Sequence, residues 1–62
     1  MGELIRDLRN KAKMSQEELA EKSGLSRTTI SNIESGKTES MSTKTLAAIA
    51  VALDVPVSIF FT

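Results

Sequence analysis

The sequence predicts an all-α fold, a compact bundle of about five short helices. Apolar residues recur at helical spacing along almost the whole chain. The alternation typical of strands is confined to residues 55–59, where Pro56 argues against a strand. A serine-containing start pattern occurs three times, and two glycines stand where helices would end. With 62 residues, the chain has room for a single domain over residues 1–62.

The start pattern places the beginnings of three helices. In each copy an apolar residue precedes a serine, and a second apolar residue follows four positions after it. Such a serine accepts a hydrogen bond from a free amide of the first turn, and the two apolar residues pack together as a hydrophobic staple. The serines are Ser15, Ser26 and Ser42. The helices that they start are therefore expected to begin near Gln16, Arg27 and Thr43.

Helix ends are indicated by residues that tolerate a left-handed backbone. Gly24 and Gly36 are expected to end the second and third helices, and Asp54 the fourth. The periodicity predicts a first helix from about Gly2 to about Lys13, and a fifth short helix or turn from about Val57. Residues 35–42, rich in Ser, Thr and Gly, are interpreted as a loop.

Composition excludes several classes of function. The chain has no cysteine and no histidine, so we expect no disulfide, zinc site or other cofactor. It also has no glycine-rich phosphate loop and no room for a cleft, so we expect no enzyme. No apolar run approaches the ~20 residues of a membrane span, and the first residues do not resemble a signal peptide. A cytoplasmic location without membrane contact is expected. Eight basic and eight acidic residues give zero net charge, which is unusual for a nucleic-acid-binding domain.

The second and third helices are short and joined by a glycine-containing turn. The spacing gives them about eight and nine residues, linked through Gly24, Leu25 and Ser26. That arrangement is the signature of a helix-turn-helix. An ordinary helical hairpin in a small bundle has the same spacing, so spacing alone leaves both interpretations open.

The residues within this unit favour the helix-turn-helix. The runs SQEELA (15–20), GLS (24–26) and ISNIESG (30–36) closely resemble the lambda-repressor-like (Xre) family, with further similarity at 6–9 and 46–53. The resemblance extends from about Leu4 to Phe60. It implies a bundle whose third helix enters the DNA major groove. The implied function is that of a sequence-specific transcriptional regulator, with repression as the expected role.

The third helix, residues 27–35, has two different faces. At about 100° per residue, Ile30 and Ile33 point one way, and short polar side chains point the other way, with Ser31 at the flank. The resemblance implies that three residues read bases. Arginine suits guanine O6 and N7, asparagine suits adenine N6 and N7, and threonine offers a methyl group and a hydroxyl. The three residues are Arg27, Thr28 and Asn32.

Other residues are expected to bind phosphate or to orient the third helix. Gln16 lies at the first turn of the second helix, where free amides and the helix dipole attract an anion. Further phosphate candidates are Ser26, Lys37 and Thr38. Glu39 stands where the family often carries a basic residue. The resemblance also implies an ion pair between Arg9 and Glu34, whose role is to orient the third helix.

The sequence also suggests an assembly. Ile59, Phe60 and Phe61 are consecutive, so one helix or strand face cannot bury all three. We expect Phe60 in the core and Phe61, with Val57, at the surface of the domain. There the two residues would form the contact of a homodimer on double-stranded DNA. Alternatively, Phe61 folds back onto its own domain or is exposed only by truncation. In either case it would not form a dimer contact. The alternative function is a protein-interaction module, such as an antitoxin bound to a toxin or a coactivator. The zero net charge and the apolar residues 59–61 favour that alternative.

Overall fold

The computed structural model describes residues 1–38 and 41–61 of the chain. These residues contain four α-helices and one short 3-10 helix. The all-α prediction is confirmed, with a 3-10 helix in place of a fifth α-helix. The elements are α1 (Gly2–Lys11), α2 (Gln16–Ser23), α3 (Arg27–Ser35), α4 (Thr43–Leu53) and the 3-10 helix (Val57–Phe60). Glu39 and part of the expected loop 35–42 lie outside the described residues. None of the helices described is long and apolar enough to cross a membrane.

The three serine-started helices begin where the sequence predicts. The hydroxyl oxygen of each serine accepts a hydrogen bond from the amide three residues later, at 3.0–3.2 Å. Each cap satisfies one amide that has no partner inside the helix. The capped amides belong to Glu18, Thr29 and Thr45.

Three helices also end at the expected residues, and one ends early. Gly24, Gly36 and Asp54 all adopt the left-handed conformation, with φ of 75°, 85° and 59°. The predicted end of α1 near Lys13 is two residues too late, because α1 ends at Lys11. Lys13 has a φ of 58°, which turns the chain out of the helix and toward the Ser15 cap.

The core is built from one face of every α-helix. Its fully buried side chains are Ile5 of α1, Leu19 of α2, Ile30 and Ile33 of α3, and Ile49 of α4. Helix α2 packs against both α3 and α4, α1 packs against α3, and the 3-10 helix packs against α4. Helix α3 is therefore held along its apolar side by α1 and α2, whereas Arg27, Thr28 and Ser31 on its other side are exposed.

The start of α1 abuts the end of α3. A Cβ atom at Gly2 would overlap the carbonyl oxygens of Ile33 and Glu34. Only a residue without a side chain permits this approach without a shift of one helix. Packing at Gly2 therefore helps to set the position of α3.

Candidate nucleic-acid interface

A tight turn joins α2 to α3. The left-handed Gly24 ends α2, and the Leu25 amide donates to the Ala20 carbonyl oxygen at 3.1 Å. Leu25 is half-buried against the core, and Ser26 then starts α3 with its side-chain cap. Two short helices that pack together and are joined by a short glycine-containing turn form a helix-turn-helix unit.

The polar side of α3 faces a shallow depression between α2 and α3. This depression, of about 230 Å³, is lined by Gln16 of α2 and by Arg27, Thr28 and Ser31 of α3. Three of the expected DNA-contacting residues therefore lie together. Ser31 was expected only at the flank of this face, but it lies one turn after Arg27 and Thr28 and is exposed like them.

Asn32 is less accessible than the other two residues expected to read bases. Its side chain is half-buried. Its backbone carbonyl oxygen, near the end of α3, accepts a hydrogen bond from the Thr38 amide at 3.2 Å. The chain after α3 is therefore tied to the last turns of the helix, a contact that helix periodicity could not reveal.

Beneath the depression, a two-pronged ion pair joins α1 to α3. Arg9 Nε donates to Glu34 Oε2 at 2.7 Å and Arg9 Nη2 to Glu34 Oε1 at 3.0 Å. A third donor, Arg9 Nη1, reaches the Met14 carbonyl oxygen at 2.7 Å. One guanidinium therefore ties together α1, α3 and the turn before α2.

This ion pair is largely withdrawn from water. The side chain of Arg9 is 13% exposed and that of Glu34 is 4% exposed. The hydrogen bonds that Arg9 donates to the Glu34 carboxylate raise the pKa of Arg9 above its ordinary value, although burial acts in the opposite direction. Every buried side-chain nitrogen or oxygen in residues 1–38 and 41–61 has a hydrogen-bond partner. A fully satisfied pair of this kind fixes orientation more than it adds stability.

Gln16 is held in place by the same carboxylate. Its Nε2 donates to Glu34 Oε1 at 3.2 Å. Because a carboxylate only accepts hydrogen bonds, the amide nitrogen of Gln16 must face Glu34. The amide group has a second N–H, which stays available for another acceptor. Glu34 therefore connects α1, α2 and α3 through one side chain.

The remaining phosphate candidates lie at the two ends of α3. At its start, Ser26 is exposed, and its hydroxyl oxygen accepts from the Thr29 amide and lies 2.8 Å from Thr29 Oγ1. Beyond its end, Lys37 is exposed and Thr38 is half-buried. The nine residues of α3 span about 13 Å, so these two groups are well separated.

The acidic residue Glu17 also lies beside the residues expected to contact DNA, although the sequence pattern assigned it no role in that interface. Glu17 Oε1 of α2 is 3.6 Å from Arg27 Nη1 of α3. Both side chains are well exposed, at 72% and 65%. Local sequence gave no signal for this pair, because the two residues are brought together only by the turn between the helices.

Apolar residues are exposed on the part of the chain that follows α3. Phe60 is buried and Phe61 is 58% exposed, so the expected division between them is confirmed. Val57 was expected at the surface, but it is half-buried and packs against the core. The 3-10 helix turns it inward onto α4. Val51 on α4, which the sequence did not single out, is 78% exposed.

Comparison with solved structures gives close matches over most of the chain. The restriction-modification controller protein C.AhdI from Aeromonas hydrophila is 36% identical, with a TM-score of 0.85 over 90% of this chain and 83% of that protein. A mutant of the restriction-modification controller protein C.Esp1396I is 38% identical, with a TM-score of 0.87 over 97% of this chain and 77% of that one.

Sequence comparison finds a relative in a bacteriophage and a matching family model. The ImmF control region 10 kDa protein of Bacillus phage phi105 is 39% identical over 59 residues. The match covers 95% of this chain, and the chain spans 64% of the length of that relative. A helix-turn-helix family model matches residues 5–60. This match confirms the resemblance to lambda-repressor-like proteins. The chain therefore belongs to the helix-turn-helix family.

Proposed function

We propose that this protein is a sequence-specific DNA-binding transcriptional regulator that acts as a repressor in the cytoplasm. The observation that carries the proposal is the depression where the exposed polar face of α3 meets Gln16 of α2. An α-helix fits the major groove when its outer face is polar and its inner face is anchored in a core. Membership of the helix-turn-helix family supports this interpretation.

The base-reading residues in this proposal are Arg27, Thr28 and Asn32. Arg27 and Thr28 lie in the first turn of α3, the end of a recognition helix that approaches base edges most closely. Arg27 pairs with guanine through O6 and N7, and Thr28 contacts a thymine methyl group or a neighbouring hydrogen-bond acceptor. Asn32 needs a small movement of its half-buried side chain to reach adenine. Ser31, which lines the same depression, is a further candidate.

Phosphate contacts are proposed for Gln16, Ser26, Lys37 and Thr38. The start of α2 offers amides that have no acceptor inside the helix, together with the positive end of the helix dipole. Gln16 adds its second side-chain N–H, pre-oriented by Glu34. Ser26 and the pair Lys37 and Thr38 lie at opposite ends of α3, so they suit phosphates on either side of the groove.

A homodimer is proposed on DNA, with the exposed Phe61 at the contact and only the accessible part of the half-buried Val57 at its edge. One recognition helix reads only a few base pairs, whereas two helices about 34 Å apart read two half-sites. The domain measures 26 × 23 × 19 Å, which is less than the distance between the two recognition helices. Two domains in contact therefore place their α3 helices that far apart only if each α3 lies on the side away from the contact. Helix α3 packs on α1 and α2, whereas the residues around Phe61 pack on α4. That separation supports the proposed arrangement.

The names of the relatives support a regulatory role. Two are described as restriction-modification controller proteins and one as a control region protein. A regulator that occupies the major groove through α3 represses by excluding other proteins from the DNA that it covers. Repression is therefore the direction of regulation that we propose for this chain.

Selection of bound sequences from a random DNA pool tests this function. We expect an enriched site with two related half-sites, and an affinity that falls steeply as salt rises. The competing function is a protein-interaction module with a partner such as a toxin, which the exposed Val51 and Phe61 favour. Absence of enrichment, together with weak DNA binding that does not depend on salt, would favour that competing function.

A further inference from the structure

The carboxylate of Glu17 lies beside the arginine that we propose reads guanine. Glu17 Oε1 and Arg27 Nη1 are 3.6 Å apart, and each belongs to the first turn of its own helix. Among the salt bridges in the described residues, Arg9–Glu34 is largely buried and Lys22–Glu18 lies within α2. Glu17–Arg27 is the bridge that crosses from α2 to the exposed face of α3.

A carboxylate at this position works against general DNA affinity. It offers Arg27 an anionic partner inside the protein. The chain as a whole has no excess of positive charge to offset that effect. Backbone affinity arises from cations that neutralise phosphates, so an arginine held by a carboxylate contributes less of it.

Guanine and phosphate differ in what they require of Arg27. A guanidinium has five N–H donors, and bidentate pairing with guanine uses two of them. Donors remain for the carboxylate, and guanine carries no charge, so the ion pair is compatible with bound guanine. A phosphate is a second anion, so the Glu17 carboxylate repels it and weakens its contact with Arg27.

We infer that Glu17 is a specificity-determining residue. Its carboxylate weakens the contacts of Arg27 with DNA phosphates but leaves Arg27 able to pair with guanine. This inference rests on the proposed DNA-binding function. Its consequence is a wider gap between affinity for the preferred site and affinity for random DNA. Because exposed ion pairs are weak, the effect should be about two- to fivefold in the ratio of the two affinities.

The test compares Glu17→Gln with Glu21→Gln on the preferred site and on random duplex DNA. Glu21 is exposed on the same helix, so its substitution removes the same charge without touching Arg27. We expect Glu17→Gln to raise random-DNA affinity about two- to fivefold more than Glu21→Gln does, with little further gain on the preferred site. The slope of log affinity against log salt on random DNA should steepen by about 0.9, the value for one added phosphate contact.

A second comparison shows whether Glu17 acts through Arg27. When Arg27 is already alanine, Glu17→Gln should change random-DNA affinity no more than Glu21→Gln does. Equal gains on both DNAs, or an unchanged effect in the Arg27→Ala protein, would overturn the inference and leave the DNA-binding function standing. Failure of the unmodified protein to bind any duplex would overturn the proposed function and this inference with it.

Discussion

Arg9 and Glu34 are 25 residues apart in the chain and form a two-pronged ion pair that fixes α1 against α3. The same carboxylate accepts a hydrogen bond from Gln16 of α2. The three helices around the proposed DNA face are therefore tied at one buried point. Loss of that point should affect folding and DNA contacts together.

Removing one partner of the Arg9–Glu34 pair should strongly destabilise the fold. Glu34→Ala leaves a mostly buried guanidinium unpaired, and we expect it to lower the free energy of unfolding by about 3–5 kcal/mol. Urea denaturation measures the loss. The double variant Arg9→Ala with Glu34→Ala should lose clearly less than the sum of the two single losses, because neither charge is then stranded. Strictly additive losses would show that the two side chains do not act as a pair.

Substitutions on the two sides of the depression should separate base reading from phosphate binding. Arg27→Ala should weaken binding to the preferred site by about 1–3 kcal/mol and relax the preference at one base position. Gln16→Ala should weaken all sequences more evenly. Titrations against a panel of single-base variants of the site measure both effects. Equal losses for both variants on every DNA would contradict the assignment of Arg27 to base reading.

The serine caps should account for a measurable share of stability. Ser15→Ala and Ser42→Ala each remove the acceptor for one first-turn amide, and we expect losses of about 0.5–2 kcal/mol. Thermal denaturation checks this. Ser58→Ala, at an exposed position in the 3-10 helix, is the control and should change little. If the cap variants melted like this control, the caps would not be stabilising.

Lys13 offers a position where glycine should stabilise the protein. Its φ of 58° is unfavourable for a residue with a side chain, by roughly 1–2 kcal/mol. Lys13→Gly relieves that cost, but it makes the unfolded chain more flexible, so a net gain of up to about 1 kcal/mol is expected. Lys11→Gly, at the last residue of α1, removes the same charge at a position without a left-handed backbone, and should instead destabilise by up to about 1 kcal/mol. A loss at both positions would contradict the proposed relief of strain.

The exposed Phe61 should matter for assembly on DNA. Phe61→Ala is expected to make binding to a two-half-site DNA weaker and less steep in protein concentration, with binding to a single half-site unchanged. Leu4→Ala, which shortens another exposed apolar side chain on α1, is the control. Gel shifts and analytical ultracentrifugation follow the stoichiometry. One protein per two-half-site DNA, unaffected by Phe61→Ala, would rule out this dimer.

The sequence by itself determined where most helices begin and end. A serine cap or a left-handed glycine acts within three or four residues, so Ser15, Ser26, Gly24 and Gly36 could be interpreted without knowledge of the rest of the fold. The two faces of α3 followed from periodicity for the same reason. The family resemblance then pointed to Arg9 and Glu34, which spacing alone would not have paired.

Only the tertiary structure decided how side chains from different helices meet. Gln16 turns toward Glu34, and Glu17 lies beside Arg27, because packing places these helices next to each other. Val57 is drawn inward by the 3-10 helix for the same reason. Such contacts depend on distances between elements that are separate in the chain, and no local pattern encodes those distances.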